Sequence, residues 1–491
     1  MIFRDPQHQG LWPWAAFCAV FAAFALAAPD SFINGDAVVY ATQIRAANFA
    51  ERTTHLGYYL VAYPIALVPI SLSHALNLLN CAFGAGVAVL AGLIGARLTG
   101  SKMVGPVSAL VLAVNTLLVD NALHAEVYIA QTFFLLLAMY LWQRDRSLWA
   151  GVGCAMAFLV TASSALAAPY FVVMRPRGRP LLVLGAAAGI LAAIALLPVL
   201  ENYLFGARGL LAAAEHAVDY KLAALKTGRD LFFGFFALLP FLIAGAVQCW
   251  RRPELQRFGL AVAAMAATVF LFGEKFTDVP VQLPTYALAG IVVAIGIEAT
   301  LLGDRKPAVV GAAAGGCLVV PILLVTPFVP AAVAHHLPGK GELALYGAAA
   351  LLTAVVLSFA TARRVIGALV AVTVLCNLFV VVLDEIEIRQ RLKTTEGIAQ
   401  TIRATPNAIF VAKWNTMVRL NWLLHAVPYD PDSFDLDQLD GSYDSGEAME
   451  RFKQALARKD AVLLLDSTPK VERMLDGVGF KRDGARIYRR P

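Results

Sequence analysis

The stretch HAEVYIAQTFFLLLAMYL, residues 124–141, joins two ionisable side chains to an apolar run that reaches into a lipid bilayer. His124 and Glu126 stand at its start, and no charged residue follows before Leu141. An ionisable group at the edge of a bilayer is costly unless it faces protein or water. The stretch therefore predicts a membrane-spanning helix with a functional carboxylate at one end.

The rest of the chain repeats this apolar pattern. Of its 491 residues, 59% are hydrophobic, and the mean hydropathy is +0.68, whereas soluble domains are about 45–50% apolar. A helix needs about 20 apolar residues to cross a bilayer. We predict an all-α polytopic membrane protein with about thirteen transmembrane helices, at residues 12–28, 75–97, 103–119, 125–142, 148–160, 165–174, 180–200, 231–250, 258–273, 285–302, 307–330, 343–361 and 365–383.

The basic residues predict the orientation in the membrane. One set of alternate loops holds most of the Lys and Arg residues, as at Arg97, Arg144, Arg251 and Arg363. Loops of this kind stay in the cytoplasm. We predict a bacterial inner-membrane protein with a cytoplasmic amino terminus, an uncleaved first span and an extracytoplasmic carboxyl-terminal tail.

Two domains are predicted. Residues 1–383 form the membrane domain, with extracytoplasmic loops at 29–74, 201–230 and 274–284, and the segment from Leu56 to Leu72 is interpreted as an interfacial helix. Residues 384–491 form a small soluble α/β domain, because strand-like runs such as Ala461 to Asp466 alternate with helical periodicity. The acidic stretch PYDPDSFDLDQLDGSYD, residues 428–444, is interpreted as a solvated loop.

Other protein classes lack support. The six cysteines all fall within apolar spans, so a disulfide framework is not expected. The sequence has no GxGxxG, Walker, HExxH or CxxC motif. The net charge of +6 belongs to the membrane part, since acidic and basic residues balance in the tail, and it does not indicate nucleic-acid binding.

Ionisable residues recur at the extracytoplasmic ends of the predicted spans. They are Asp36, His55, Asp120, His124, Glu126, Lys275 and Asp278. If they line one cavity, a carboxylate can accept the proton of an attacking hydroxyl while a cation or metal ion stabilises a departing phosphate. Taken singly, Asp36 is equally well explained as a helix N-cap, and the charges at residues 275 and 278 as solvated loop residues.

Four of these residues, Asp36, His55, His124 and Glu126, lie in blocks that resemble GT-C-type glycosyltransferases. The blocks are NGDAVVY (34–40), THLGYYL (54–60), NLLN (77–80) and HAEVYIAQTFFLLLAMYL. They are most similar to bacterial membrane proteins related to protein O-mannosyltransferases, and the resemblance covers roughly residues 10–180. Two departures stand out: the prolines expected after His55 are absent, and FLVTASSALAAPY (158–170) lacks the basic residue that is usual in that block.

The resemblance implies an extracytoplasmic active site and a polyprenyl-phosphate-linked sugar donor. It implies that Asp36 is the catalytic base and that Glu126, with Tyr128 beside it, binds substrate. His55 and Lys275 are expected to pair with the donor phosphate, and Asp278 to bind substrate. Glu126 and Asp278 are also the expected ligands of a divalent cation, Mg²⁺ or Mn²⁺.

The first hypothesis is therefore an inverting glycosyltransferase that acts in contact with membrane lipid on a protein, glycan or lipid acceptor. A transporter or flippase of lipid-linked glycans is the alternative, and it predicts ionisable residues deep within the spans. An inactive scaffold for a cell-envelope partner is a third. In the tail, Trp414 and Trp422 either stack on sugar rings or belong to the small core, and the core is the commoner case.

Overall fold

The computed structural model describes most of the chain. The described residues are 10–47, 49, 55–174, 179–195, 220–271, 279–329, 337–405, 407–425, 427–440, 446–483 and 486–490. The chain divides into two compact units. The first is Met1–Ala28, Phe49–Val68 and Ala75–Leu383, and the second is Pro29–Asn48, Pro69–His74 and Asp384–Pro491. Two segments of the loop 29–74, which the sequence analysis placed in the membrane domain, thus group with the tail.

The described part of the first unit consists of helices and the short turns between them. Its helices are α1 (Trp12–Ala27), α3 (Leu56–Ala66), α4 (Leu72–Thr99), α5 (Val104–Ala113), α6 (Thr116–Leu123), α7 (Val127–Gln143), α8 (Ser147–Val160), α9 (Ala168–Met174), α10 (Arg179–Ala195), α11 (Tyr220–Phe235), α12 (Leu239–Arg251), α13 (Pro253–Leu271), α14 (Val279–Leu302), α15 (Lys306–Val325), α16 (Lys340–Phe359) and the first half of α17 (Arg363–Arg403). Every predicted span overlaps one or more of them.

Length separates these helices into two groups. Within the described residues, six helical segments are long and apolar enough to cross a membrane. The number is seven if the bent pair α5 and α6 counts as one span. Six further apolar segments have 10 to 17 residues. Helix α3, with 11 residues, rises only about 16 Å and is too short for a core of about 30 Å.

One predicted span in the first unit is broken in the structure. The single span predicted at 103–119 divides between α5 and α6, which are bent by 65°, because the Asn115 side chain accepts a hydrogen bond from the Leu118 N–H and starts a new helix. Within the predicted loop 201–230, α11 begins at Tyr220. Residues 201–219 of this loop lie outside the described residues.

Glycines allow the helices to approach closely at two GAAAG segments, residues 185–189 and 311–315. A Cβ on Gly185 would collide with the Leu148 carbonyl oxygen, and one on Gly189 would lie 2.7 Å from Ala155 Cβ, so α10 packs tightly on α8. Gly311 contacts Ile243, whereas Gly315 contacts the Tyr346 hydroxyl. The second pattern thus serves two different neighbouring helices.

The second unit contains a five-stranded sheet. The strands are β1 (Ala408–Ala412), β2 (Ser433–Asp435), β3 (Ala461–Leu464), β4 (Lys481–Arg482) and β5 (Ile487–Arg489), and their order is β2-β1-β3-β5-β4. Strand β1 is parallel to β2 and β3, with Phe410 opposite Ser433 and Leu463, and β5 is antiparallel to β3 and β4. The carboxyl ends of the three parallel strands therefore meet at one edge.

Helices of the second unit cover this sheet. They are α18 (Trp414–His425), α19 (Leu436–Asp440), α20 (Gly446–Arg458) and α21 (Pro469–Gly477). The acidic stretch 428–444, interpreted above as a solvated loop, in fact supplies β2 and α19. That interpretation was wrong because Phe434, Leu436 and Leu439 are buried in the core of the unit and bind the stretch to it.

A helix from the first loop, α2 (Gly35–Ala46), packs on α18 within the second unit. The Gly35 N–H donates to Asn415 Oδ1 at 3.0 Å. The Trp422 ring lies 5.3 Å from the Phe32 ring, and the Arg45 guanidinium lies 4.8 Å above it. Trp422 thus anchors the first loop rather than the core of the sheet.

Candidate active site

An asparagine side chain joins three of the blocks that the sequence analysis singled out. The Asn80 amide donates to the His124 carbonyl oxygen at 2.6 Å and to the Glu126 carbonyl oxygen at 2.7 Å. Its own oxygen accepts a hydrogen bond from the Tyr58 hydroxyl at 3.1 Å. Asn80 and Tyr58 are fully buried, so these bonds are shielded from water and fix the turn that carries Glu126.

The turn itself is tight. The Glu126 N–H donates to the His124 carbonyl oxygen at 2.7 Å, and Glu126 is the residue that precedes α7. Its side chain makes no capping bond to that helix. Burial and, after it, the Glu126 carboxylate raise the pKa of Tyr58. The carboxylate therefore lies close enough to the Tyr58 phenol to influence it electrostatically.

His124 forms a second polar contact in this turn. Its Nε2 lies 3.3 Å from Asp120 Oδ1, one helical turn earlier. The His124 side chain is buried, whereas Asp120 is about half exposed, at 49%. Tyr128 follows in the first turn of α7, where its carbonyl oxygen accepts from the Thr132 hydroxyl at 2.8 Å. Asp120, His124, Glu126 and Tyr128 thus share one short segment.

His55 and Gly57 lie against the end of α8. Nδ1 of His55 is 2.8 Å from the Val160 carbonyl oxygen. A Cβ on Gly57 would lie 2.8 Å from the Val160 nitrogen, so this position needs glycine for α3 to reach the α8 backbone. The shortened THLGYYL block therefore places His55 at the carboxyl end of α8.

Hydroxyl groups follow directly after α8, where the sequence lacks the expected basic residue. Gln131 donates to the Ser163 hydroxyl at 3.2 Å, and the Thr161 and Ser163 hydroxyls are 3.2 Å apart. All three side chains are buried. Residues 161–163, within the block that departs from the GT-C pattern, thus contribute to a cluster of neutral polar side chains.

Asp36 belongs to the second compact unit. It is exposed in the first turn of α2. The residue that caps this helix is Asn34, whose Oδ1 accepts from the Ala37 N–H at 2.7 Å. The N-cap explanation of Asp36 is therefore wrong, and its carboxylate stands where a helix N-terminus favours negative charge.

Lys275 and Asp278 lie outside the described residues. Close to them in sequence, α14 begins at Val279, and Gln282 donates to the Thr227 hydroxyl of α11 at 3.3 Å. Among the described residues, no three His, Cys, Asp or Glu side chains lie close enough to hold a metal ion. The predicted metal pair of Glu126 and Asp278 stays a prediction.

A charged pair on α11 was not predicted from the sequence. Arg229 Nη2 lies 2.8 Å from Asp230 Oδ1, and the Asp230 side chain is only 1% exposed. The same helix contacts α6, where the Thr116 hydroxyl donates to the Phe233 carbonyl oxygen at 2.6 Å. The signal in the sequence was adjacent opposite charges directly before the aromatic run LFFGFF, residues 231–236.

The whole chain was compared with known proteins and solved structures. No protein-family model and no curated protein matches the chain. Among solved structures, ArnT from Cupriavidus metallidurans in the apo state matches with a TM-score of 0.60 at 12% identity, over 97% of each chain. The same protein bound to undecaprenyl phosphate matches with a TM-score of 0.59 at 12% identity, over 97% of this chain and 98% of that chain.

The chain has the GT-C fold. At such low identity the likeness concerns the fold alone, and the expected GT-C fold is confirmed. The oligosaccharyltransferase AglB from Archaeoglobus fulgidus matches more weakly, with a TM-score of 0.49 at 10% identity over 92% of this chain and 69% of that chain. The assignment rests on the two ArnT structures.

Within this GT-C fold, the resembling blocks meet through specific bonds. THLGYYL contributes Tyr58, NLLN contributes Asn80, and the third block contributes the turn from His124 to Glu126. The GT-C first-loop block, NGDAVVY, instead supplies the cap and first turn of α2 in the second unit. None of the six cysteines, all of which the structure describes, forms a disulfide bond.

Proposed function

We propose that this protein is an integral-membrane glycosyltransferase that transfers a sugar from a polyprenyl-phosphate-linked donor to an extracytoplasmic acceptor. The observation that carries the proposal is the GT-C fold over nearly the whole length of ArnT, a protein solved with undecaprenyl phosphate bound. The fixed turn at Glu126 supports it, because a buried hydrogen-bond network holds the backbone that carries this carboxylate.

Asp36 is the proposed base. Its carboxylate accepts the proton of the acceptor hydroxyl as the oxygen forms a bond to the anomeric carbon of the donor. The bond from that carbon to the phosphate oxygen breaks, and polyprenyl phosphate leaves with the electron pair, so the configuration is inverted. The role suits Asp36 because its side chain is exposed in the first turn of α2, where an acceptor hydroxyl can reach the carboxylate.

Substrate binding is assigned to residues of the predicted blocks. Glu126 and Tyr128 bind the donor sugar through its hydroxyl groups, and His55 and Lys275 pair with the donor phosphate. Asp278 is the remaining proposed substrate-binding residue. We add Arg229, since a guanidinium beside a buried carboxylate is held in place for binding phosphate oxygens.

A divalent cation, Mg²⁺ or Mn²⁺, at Glu126 and Asp278 would neutralise charge on the departing phosphate. We expect EDTA to lower transfer and added Mn²⁺ to restore it. Full transfer in EDTA would remove the metal from the proposal and leave the sugar-transfer function intact.

The acceptor is a protein, glycan or lipid on the extracytoplasmic face, and both substrates reach the enzyme beside membrane lipid. In this proposal the amino terminus lies in the cytoplasm of a bacterium and the tail lies in the periplasm. The basic loops support this orientation.

The test supplies membranes containing the protein with a panel of radiolabelled polyprenyl-phospho-sugars. We expect at least one sugar to be transferred by the parent protein, and transfer to fall about 100-fold or more in Asp36→Asn, the usual scale of a lost general base. Asp30→Asn is the matched control, because Asp30 lies in the same loop and pairs with His74 at 3.0 Å. Equal transfer by Asp36→Asn and the parent would exclude Asp36 as base.

A further inference from the structure

A cavity of about 590 Å³ opens at the carboxyl edge of the parallel strands in the second unit. It lies where α18 follows β1 and where α19 follows β2. Open parallel sheets bind ligands at this edge, and known ligand pockets measure about 300–1,000 Å³. The size and the position of the cavity are thus those of a binding site.

The cavity wall is polar, with one aromatic ring. The residues that line it include Lys413, Trp414, Asn415, Asp435, Asp437 and Gln438. They offer one cation against two carboxylates, so an anionic ligand such as a phosphate or a nucleotide would meet a net negative charge. Carboxylate and amide groups instead match the hydroxyl groups of a neutral ligand, since together they donate and accept hydrogen bonds.

The wall is also held in a fixed shape. The Asp435 carboxylate accepts the backbone N–H groups of Asp437, at 3.1 Å, and Trp414, and Asp435 is only 5% exposed. The Trp414 indole donates to the Tyr429 hydroxyl at 3.3 Å. A prepared wall lowers the entropic cost of binding.

The first loop touches this wall. A Cβ on Gly35 would lie 2.9 Å from the Trp414 ring and 2.9 Å from Asn415 Oδ1, and the Gly35 N–H donates to that oxygen. Asp36 is the next residue along the chain, about 3.8 Å away between Cα atoms. The proposed base is therefore the chain neighbour of a residue that contacts the cavity wall, and both belong to the same compact unit.

We propose that this cavity binds a neutral carbohydrate, with the Trp414 indole against a sugar ring and with Asp437 and Gln438 on its hydroxyl groups. The acceptor of the transfer reaction is then a glycan, and the cavity holds it beside Asp36. The assignment as acceptor site rests on the proposed function, whereas carbohydrate binding by the cavity does not.

The test measures binding to the full-length protein in detergent by saturation-transfer NMR. The probes are methyl α-D-mannopyranoside, methyl β-D-galactopyranoside and methyl 2-acetamido-2-deoxy-β-D-glucopyranoside, with inorganic phosphate as the anionic probe, at concentrations up to tens of millimolar. Asp437→Ala and Gln438→Ala remove wall groups, and Trp414→Leu removes the ring. Asp440→Ala is the matched control, because it lies on α19 but not in the wall.

We expect at least one glycoside to bind, with affinity about fivefold weaker in Asp437→Ala, the scale of one lost hydrogen bond, and unchanged in Asp440→Ala. Should Trp414→Leu fail to fold, the comparison of Asp437→Ala with Asp440→Ala still decides the outcome. Binding of phosphate alone, binding of no glycoside, or equal binding by all variants would overturn the inference.

Transfer assays separate this inference from the proposed function. If Asp437→Ala weakens glycoside binding while no donor is ever used, the carbohydrate site stands and the transferase proposal fails. If transfer occurs and the KM for a glycan acceptor is the same in Asp437→Ala and the parent, the cavity is not the acceptor site and the transferase proposal stands.

Discussion

Asn80 shows how a single uncharged residue can fix a turn that carries ionisable side chains. It makes three hydrogen bonds in a fully buried place, to Tyr58 and to the carbonyl groups of His124 and Glu126. Because no water can replace these bonds, each partner left unsatisfied costs about 1–3 kcal/mol. Asn80 therefore contributes to both stability and the geometry of the turn.

We expect Asn80→Ala to lower the free energy of unfolding by about 2–4 kcal/mol and to lower transfer at least about tenfold. Tyr58→Phe is the matched control, since it removes one bond and leaves both carbonyl groups paired. Thermal unfolding in detergent and the radiolabel assay measure the two effects. Asn80→Ala with the stability and transfer of Tyr58→Phe would contradict this role.

Asp435 predicts a pH effect in the second unit. Burial raises the pKa of this carboxyl, and the N–H groups of Asp437 and Trp414 only partly oppose the shift. A raised folded-state pKa stabilises the fold below the unfolded pKa of about 3.9, and this stability is lost as pH rises through the folded pKa.

Asp435→Asn mimics the protonated carboxyl at every pH. We therefore expect its melting temperature to exceed that of the parent at pH 7, and the difference to shrink as the pH falls toward the unfolded pKa. Asp440→Asn, at an exposed position, serves as the control. A difference that grows on acidification would show that the folded pKa of Asp435 is lowered instead.

At the scale of elements, close helix packing depends on positions where a methyl group would strike backbone. Gly57 is such a position, because its neighbours are the backbone atoms of Leu159 and Val160. Backbone moves less readily than a flexible side chain, so the whole of α3 must shift to accommodate a Cβ.

We expect Gly57→Ala to destabilise the protein by about 1–3 kcal/mol, the usual cost of overpacking, and to lower transfer by displacing His55 and Tyr58. Gly367→Ala is the control, since no atom lies within 4 Å of a Cβ built there. Unfolding in detergent compares the two variants. Equal stability of both would mean that α3 and α8 can separate freely.

At the scale of the whole molecule, the orientation across the membrane can be tested directly. We expect Asp476→Cys in the tail to react with a membrane-impermeant maleimide in intact cells. Arg146→Cys, at the start of α8, should react only after permeabilisation. The parent chain is the blank, because its six cysteines lie within helices, and the reverse pattern of labelling would invert the proposed topology.

The sequence by itself determined that the chain is rich in apolar helices, that its character changes near Leu383, and which residue blocks resemble the GT-C pattern. These properties are local: a helix needs enough consecutive apolar residues, and a strand needs a short β-branched run. Glu126 was selected as a candidate because a carboxylate at the start of an apolar membrane helix is unusual.

The tertiary structure decided which distant residues meet. Asn80 reaches His124 across 44 residues and Gly35 reaches Asn415 across 380, and no local pattern encodes contacts over such separations. It shows that Asn34, and not Asp36, caps α2. It also shows that the acidic stretch 428–444 forms β2, α19 and part of a cavity wall. The physical reason is that burial of a few apolar side chains, such as Phe434 and Leu439, outweighs the local preference of their polar neighbours for solvent.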